Sequence, residues 1–261
     1  MGGGIVRVTA DDDGRTRLGT LRQSGATKLV FPRQTAKDIE AILINTAGGV
    51  TGGDRFELDA TVQTGAELSI TTQAAERAYR AQSDEVGRIT TRLCVERRAR
   101  LNWLPQEMIL FEGSALTRTL DIELASDAEL LMVEPVVFGR AAMGETLHDI
   151  TFRDRITINR EGKPLYLDAV HICGDAASLM ARSALAKGCS AMASVVLVCP
   201  DAATRLAKIR SLLPPTAGAS LLAEDTLVVR HLAQDSFLLR RDLVPTLEAM
   251  SNRPLPTSWR L

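Results

Sequence analysis

Aromatic side chains are scarce, at 4% of 261 residues, so the chain lacks the ring platforms on which bases and sugars stack. An excess of either charge is also missing. Against 31 Lys+Arg stand 32 Asp+Glu, a net charge of −1, and a chain so balanced is a poor general nucleic-acid binder. No apolar run approaches the ~18 residues that span a bilayer. The longest, Ala191 to Cys199, has nine residues and carries Ser194 inside it. The first residues show neither a basic segment nor an apolar one, so no secretory signal is expected and the location is read as cytoplasmic, away from any membrane. The three histidines, His148, His171 and His231, form no His-x-x-x-His pair, which excludes a zinc hydrolase of that type. Cys94, Cys173, Cys189 and Cys199 form no Cys-x-x-Cys pair and read as reduced, mostly buried thiols. There is no Gly-x-Ser-x-Gly elbow, and no arrangement of nucleophile and base identifies an enzyme.

What the chain does have is period-two alternation. Phe56, Leu58, Ala60 and Val62 alternate with polar residues, the pattern of a half-buried strand. Leu68 to Thr71 begins another strand. The set Ile89, Thr91, Leu93, Val95 and the set Leu116, Leu120, Ile122, Leu124 repeat the pattern. So do Phe152, Ile156 and Ile158 before the turn at Glu161 to Pro164, and Leu165, Leu167 and Ala169 after it. Strands about ten residues apart predict a mainly β fold, a single large multi-stranded body of β-helix or sandwich type over residues 1–261, rather than βαβ units. No strict internal repeat is evident. Two α-helices are expected in the C-terminal half. One follows Asp201 as N-cap, with Ala202, Leu206, Ile209 and Leu213 on one face, and stops at Pro214-Pro215. The other follows Asp235, with Leu239, Leu243, Leu247 and Met250 on one face and a kink or late start forced by Pro245. Thr226 to His231 reads as a strand, and the proline-rich tail to Trp259 as extended chain against the body.

Four segments could carry chemistry. Ala47-Gly48-Gly49-Val50-Thr51-Gly52-Gly53-Asp54 packs two Gly-Gly pairs into six residues, which demands tight backbone geometry. It has Walker spacing, but Asp54 and Arg55 stand where Lys and Ser/Thr would hold a phosphate, so a paired tight turn is the plainer reading. Thr71 to Arg80 is densely polar and contains Glu76 and Tyr79. Trp103 to Phe111 sets Glu107 among apolar residues beside the strand-breaking Pro105. Glu134 to Glu145 places two carboxylates around an apolar stretch with Gly139, Arg140 and Gly144. A buried carboxylate is costly unless paired or solvated. Either Arg77 or Arg140 pins a glutamate structurally, or carboxylates line a wet cavity that passes a cation. His171 and Cys173 share one face of a strand; burial of both in the core is the plainer reading of that pair.

At these segments the chain resembles the urease accessory proteins UreD, also called UreH. The resemblance is carried by Leu43 to Asp54, Thr71 to Arg80, Trp103 to Glu107, Gly139 to Glu145 and the closing Leu255-Pro256-Thr257-Ser258-Trp259-Arg260-Leu261, in the family's order. It implies a non-catalytic maturation factor with a mainly β fold and two helices. Such a factor binds apo-urease, recruits UreF and through it the GTPase UreG, and serves nickel delivery through an internal polar passage. It holds no cofactor tightly, and nickel is present only in transit. By that resemblance Asp54, Asp59, Glu107, Glu134 and Glu145 become candidates for the nickel path. Gly48, Gly49, Gly52, Gly53, Glu76, Tyr79, Gly139, Arg140 and Gly144 become structural or partner-contact residues. Oxygen ligands suit transit, since thiolates and imidazoles would hold nickel too firmly to release it. A purely adaptor protein that conducts no nickel is the alternative.

Overall fold

The computed structural model describes residues 1–33, 37–82, 84–140, 143–251 and 253–259. Ala141 and Ala142 of the fourth segment and Arg260 and Leu261 of the closing one lie outside them. The strands begin with β1 (Gly2–Ala10), β2 (Thr16–Gly25), β3 (Thr27–Val30), β4 (Ile39–Asn45), β5 (Arg55–Val62) and β6 (Glu67–Thr72). They continue with β7 (Glu76–Ala78), β8 (Gly87–Val95), β9 (Arg100–Leu104), β10 (Met108–Leu110), β11 (Ala115–Leu124) and β12 (Glu129–Phe138). The last are β13 (Ile150–Arg160), β14 (Lys163–Gly174), β15 (Ala191–Val198), β16 (Ala217–Ala223) and β17 (Thr226–Ala233). The helices are α1 (Ala176–Ala181), α2 (Ala202–Leu212) and α3 (Ser236–Met250).

From β4 to β13 the chain winds as a coil. Long strands alternate between a seven-stranded sheet, ordered β14-β13-β11-β8-β5-β1-β2, and a ten-stranded sheet whose main path runs β16-β17-β15-β12-β9-β6-β4-β3. Within each sheet the coil's neighbours are parallel: β5 with β8, β8 with β11, β11 with β13; β4 with β6, β6 with β9, β9 with β12. The alternating apolar residues face inward from both sheets. Leu58, Ala60, Leu93, Leu120 and Ile156 meet Leu68, Ile70, Leu101 and Met132 in one buried cluster. The fold is therefore mainly β, as the alternation predicts.

One set of corners is tight and recurrent. Val62-Gln63-Thr64-Gly65-Ala66-Glu67-Leu68, Val95-Glu96-Arg97-Arg98-Ala99-Arg100-Leu101 and Leu124-Ala125-Ser126-Asp127-Ala128-Glu129-Leu130 occupy equivalent turns, 33 and then 29 residues apart. Each places a buried alanine where the chain crosses between sheets, Ala66, Ala99 or Ala128. This is a faint internal repeat, an apolar residue, three variable ones, Ala, a charge and Leu. It escapes a search for strict identity because geometry constrains only the Ala and the flanking apolar residues.

Both expected helices form. The Asp235 carboxylate caps α3 by accepting from the Leu238 N–H at 2.8 Å, and Leu239, Leu243, Leu247 and Met250 are buried. The late start does not occur, because α3 begins at Ser236 and runs through Pro245. Asp201 stands at the N-cap of α2 without capping it; its carboxylate is held by Arg205 at 2.8 Å. The short α1 has too few residues to show a helical period, though Asp175 and Ser178 give it a cap at 2.9 Å. Helices α2 and α3 cover the outer face of the ten-stranded sheet, which explains the longest apolar run. Strand β15 is buried on both faces and needs no polar side.

Among the described residues no helix packs on the outer face of the seven-stranded sheet. Cys94, His171 and Cys173 lie exposed on it, which corrects the expectation that His171 and Cys173 sit in the core and that the thiols are mostly buried. Both strands present these residues on the parity opposite to Leu93, Val95 and Ile172, and that parity faces water.

His231 on β17 is buried, its Nε2 has no hydrogen-bond partner, and burial pushes its pKa down to about 4 while Asp242 opposes the shift. The unfolded imidazole takes up a proton near pH 6.5, whereas the folded one does so near 4. Stability is thus present above pH 6.5 and falls as pH drops toward 4, by at most about 1.4 kcal/mol per pH unit from this group. Urea titrations across that range should show the slope in the wild type and a shallower one in His231→Leu. Equal slopes would contradict the assignment.

Candidate functional site

The four sequence segments occupy equivalent corners of successive coils, at the end opposite the alanine turns. Val50 bridges to Ala78 in parallel, β7 pairs with β10, and β10 pairs with β12. Gly139 N–H donates to the Leu110 carbonyl at 2.9 Å, and Ala81 N–H to the Gly113 carbonyl at 2.9 Å. Tyr79 stacks edge-on against Phe111, with ring centres 5.0 Å apart, and the Arg140 guanidinium lies 4.3 Å over the same Phe111 ring. The glycines permit this stacking. A Cβ on Gly49 would sit 2.2 Å from the Tyr79 ring, and Gly48 holds φ at +78°, where its carbonyl accepts from the Tyr79 hydroxyl at 3.2 Å.

The candidate carboxylates do not converge on one point. Asp54 closes the turn by accepting from the Thr51 N–H at 3.1 Å. Asp59 lies on the bare outer face, 3.3 Å from Arg92. Glu145 receives Arg140 through two bonds of 2.9 Å, which lower its pKa, so the expected arginine clamp forms at this glutamate. Glu107 is buried; Arg240 of α3 reaches it at 3.2 Å, donates to the Gln106 side chain at 2.6 Å and lies 5.1 Å over Trp259. Trp259 donates its indole N–H to the Leu104 carbonyl at 2.9 Å, so the closing motif is fastened to the third segment. Glu76 borders a cavity of about 220 Å³ with Asn45, Gly48, Thr72 and Thr91. Burial raises its pKa, against the Arg77 N–H and the Asn45 amide, which donate to it. Among the described residues no group of three or more His, Cys, Asp or Glu side chains is arranged to hold a metal ion.

Glu134 lies deepest, in a cluster that alternation reading passes over. Its carboxylate is 2.6 Å from Arg118 and accepts the Trp103 indole N–H at 2.6 Å. Arg118 also donates through Nε to Asp154 at 2.9 Å. All three charged groups are buried. Burial raises the Glu134 pKa; Arg118 pulls it back and Asp154 adds to the rise. Burial also works against the Arg118 charge, and the Asp154 and Glu134 carboxylates outweigh it, holding the guanidinium above its ordinary value. The signal for Arg118 and Asp154 was in the sequence. Each is a charge on the inward parity of a strand, between Leu116 and Leu120 and between Phe152 and Ile156.

The cluster belongs to a polar layer crossing the interior between the sheets. The seven-stranded sheet contributes Thr91, Arg118, Asp154 and Asp168, and the ten-stranded sheet Glu134, Ser194 and Arg230. Asp168 accepts from Ser194 at 2.9 Å and from Tyr166 at 3.2 Å, and pairs with Arg230. Burial, with Asp168 adding to it, pushes the Tyr166 hydroxyl up to about 12. On one side of the layer lie Leu93, Leu120, Ile156, Met132 and Val196; on the other lie Leu116, Phe152 and Val136.

Removing one member of a buried ion cluster costs more than removing all of it. Arg118→Met should lower the unfolding free energy by about 3–5 kcal/mol, because two carboxylates then stay buried without their cation. The triple variant Arg118→Met, Glu134→Gln, Asp154→Asn should recover most of that loss in urea denaturation. A triple variant as unstable as the single one would show that packing, not charge, dominates here.

The sequence model described as "UreD urease accessory protein" matches residues 2–260. The Roseobacter denitrificans "Urease accessory protein UreD" is 52% identical over 260 residues, covering 99% of this chain and 94% of the relative. That of Ruegeria pomeroyi is 51% identical over 244 residues, covering 94% and 95%. The Brucella melitensis "Urease accessory protein UreD 1" is 42% identical over 253 residues, covering 95% and 90%. The match over residues 2–260 and the near-complete likeness to these relatives establish that this chain belongs to the UreD family of urease accessory proteins.

Proposed function

We propose that this chain is a non-catalytic urease maturation factor. It binds apo-urease and recruits UreF, and through UreF the GTPase UreG, so that nickel reaches the urease active site. Nickel passes along the interior polar layer as cargo, and no cofactor is held. The observation that carries the reading is the composition of that layer. Arg118 and Arg230 face Glu134, Asp154 and Asp168, so with all five groups ionised the interior holds one net negative charge. Carboxylate and hydroxyl oxygens bind nickel weakly enough to let it move on. Glu76 at the bordering cavity and Glu107 beneath the closing motif are the proposed flanking carboxylates. The stacked corners around Tyr79, Phe111 and Arg140 supply a partner surface, with Tyr79 and Met143 exposed there.

A second reading has its own support. Glu107, Glu134 and Glu145 each already hold an arginine, and Asp54 and Asp59 lie outside the layer. In that reading the protein is an adaptor that positions UreF and UreG while nickel travels elsewhere.

Deleting the gene in its own host tests the maturation role. Urease purified from the deletion strain should be nickel-poor and inactive, and should recover both on complementation. Fully loaded, active urease from the deletion strain, with no paralogue present, would refute the role.

A further inference from the structure

The bare outer face of the seven-stranded sheet carries a row with three arginines that have no carboxylate partner. Within it the Arg153 Nε–H donates to Nε2 of His171 at 3.3 Å, so the row's charge rests on the arginines. Arg55, Arg88, Thr117, Arg153 and His171 stand side by side across β5, β8, β11, β13 and β14. Arg55 and Arg88 are directly opposed, an arrangement that destabilises a sheet. No carboxylate among the described residues lies within ion-pair distance of Arg55, Arg88 or Arg153, and the same holds for Arg7, Arg22 and Arg155 on this face. Arg92 on the same face pairs with Asp59, and arginines elsewhere are mostly paired, as with Arg100, Arg118, Arg140, Arg160, Arg205, Arg230, Arg240 and Arg253. Parallel sheets are ordinarily covered on both faces, and the other sheet follows that rule beneath α2 and α3.

We propose that this row docks an acidic protein surface. The inference stands apart from the nickel path and uses none of its residues. The row spans four inter-strand gaps of ~4.8 Å, roughly 19 Å, which matches one face of an acidic helix of about 13 residues. A phosphate backbone fits worse, because a chain with a net charge of −1 and 4% aromatics offers neither the broad basic surface nor the stacking platforms that hold one. Glu57, Asp59, Asp121 and Glu123 on the same face confine an acidic partner to the row itself. A lipid surface fits worse too, because the row has no aromatic or long aliphatic neighbour to insert. A second copy would bring this same face, where Glu57, Asp59, Asp121 and Glu123 stand among Arg7, Arg92 and Arg155, so its acids arrive with like charges beside them.

The test uses the full chain and fluorescent poly-L-glutamate of about 20 residues at low salt, read by anisotropy. The variant Arg55→Glu, Arg88→Glu, Arg153→Glu should weaken binding on the order of tenfold or more. A control with the same charge change at the exposed Arg15, Arg98 and Arg182 should stay within about twofold. Equal losses in both variants would overturn the proposal, leaving net charge alone as the cause. Tighter wild-type binding to single-stranded DNA or to phosphatidylserine vesicles, lost in the row variant, would overturn it in favour of that other polyanion. A concentration-dependent rise in wild-type mass in solution, lost in the row variant, would overturn the proposal in favour of a second copy as the occupant. Arg88→Glu alone should raise Tm, since it turns a like-charge pair with Arg55 into an opposite one. A fall in Tm would mean that the row serves the fold, and would count against docking.

Discussion

Arg118 is the side chain on which the arrangement of the two sheets depends. It reaches across the interior from β11 to Glu134 on β12 and sideways to Asp154 on β13. Each of these charges would be prohibitively costly alone in an apolar interior. Together they are tolerable only in one alignment. A one-residue slip of β11 would carry Arg118 to the outer face and leave both carboxylates buried without a cation. Apolar residues in the same coil are more forgiving, because one leucine can stand in for another. The ion cluster therefore specifies register where hydrophobic packing would not, and Trp103 completes it by satisfying the remaining side of Glu134.

The same constraint explains how much of the molecule was legible in the sequence. Alternation in Phe56 to Val62 and Leu116 to Leu124 announced the strands, and Asp235 with Leu239, Leu243, Leu247 and Met250 announced α3. The coil itself was not legible, because parallel neighbours are distant in sequence and the alanine turns recur only approximately. The carboxylates were recognisable as unusual, but their partners were not. Arg240 reaches Glu107 from 133 residues away, and Arg118 was lost among residues classed by alternation alone. Asp59 illustrates the limit: its residue type suits a cation path, while its parity on β5 directs it to solvent. His171 and Cys173 failed for the same reason, since nothing local says which face of an edge strand is covered.

Stacking of the corners gives the matched segments their common meaning. Segments separated by about thirty residues form successive layers of one surface, with Gly48 and Gly49 making room for Tyr79 and the Phe111 ring seating Arg140. Behind that surface lies the cavity at Glu76, and deeper in the interior the polar layer runs between two apolar clusters. Polar residues at such depth weaken a core unless they serve something else. Here, with all five charged groups ionised, they bring carboxylate oxygens and one net negative charge to the interior of a protein with only three histidines and four cysteines.

The most direct measurement is nickel transfer in a reconstituted system of purified apo-urease, UreF, UreG and this chain. It compares the wild type with Glu134→Gln and with Asp154→Asn. Assembly of each complex is followed by size-exclusion chromatography, and nickel in the re-isolated urease by elemental analysis. Passage through the interior predicts complexes that assemble normally and urease that stays nickel-poor with either variant. Normal assembly with normal nickel loading would contradict it and leave the chain an adaptor.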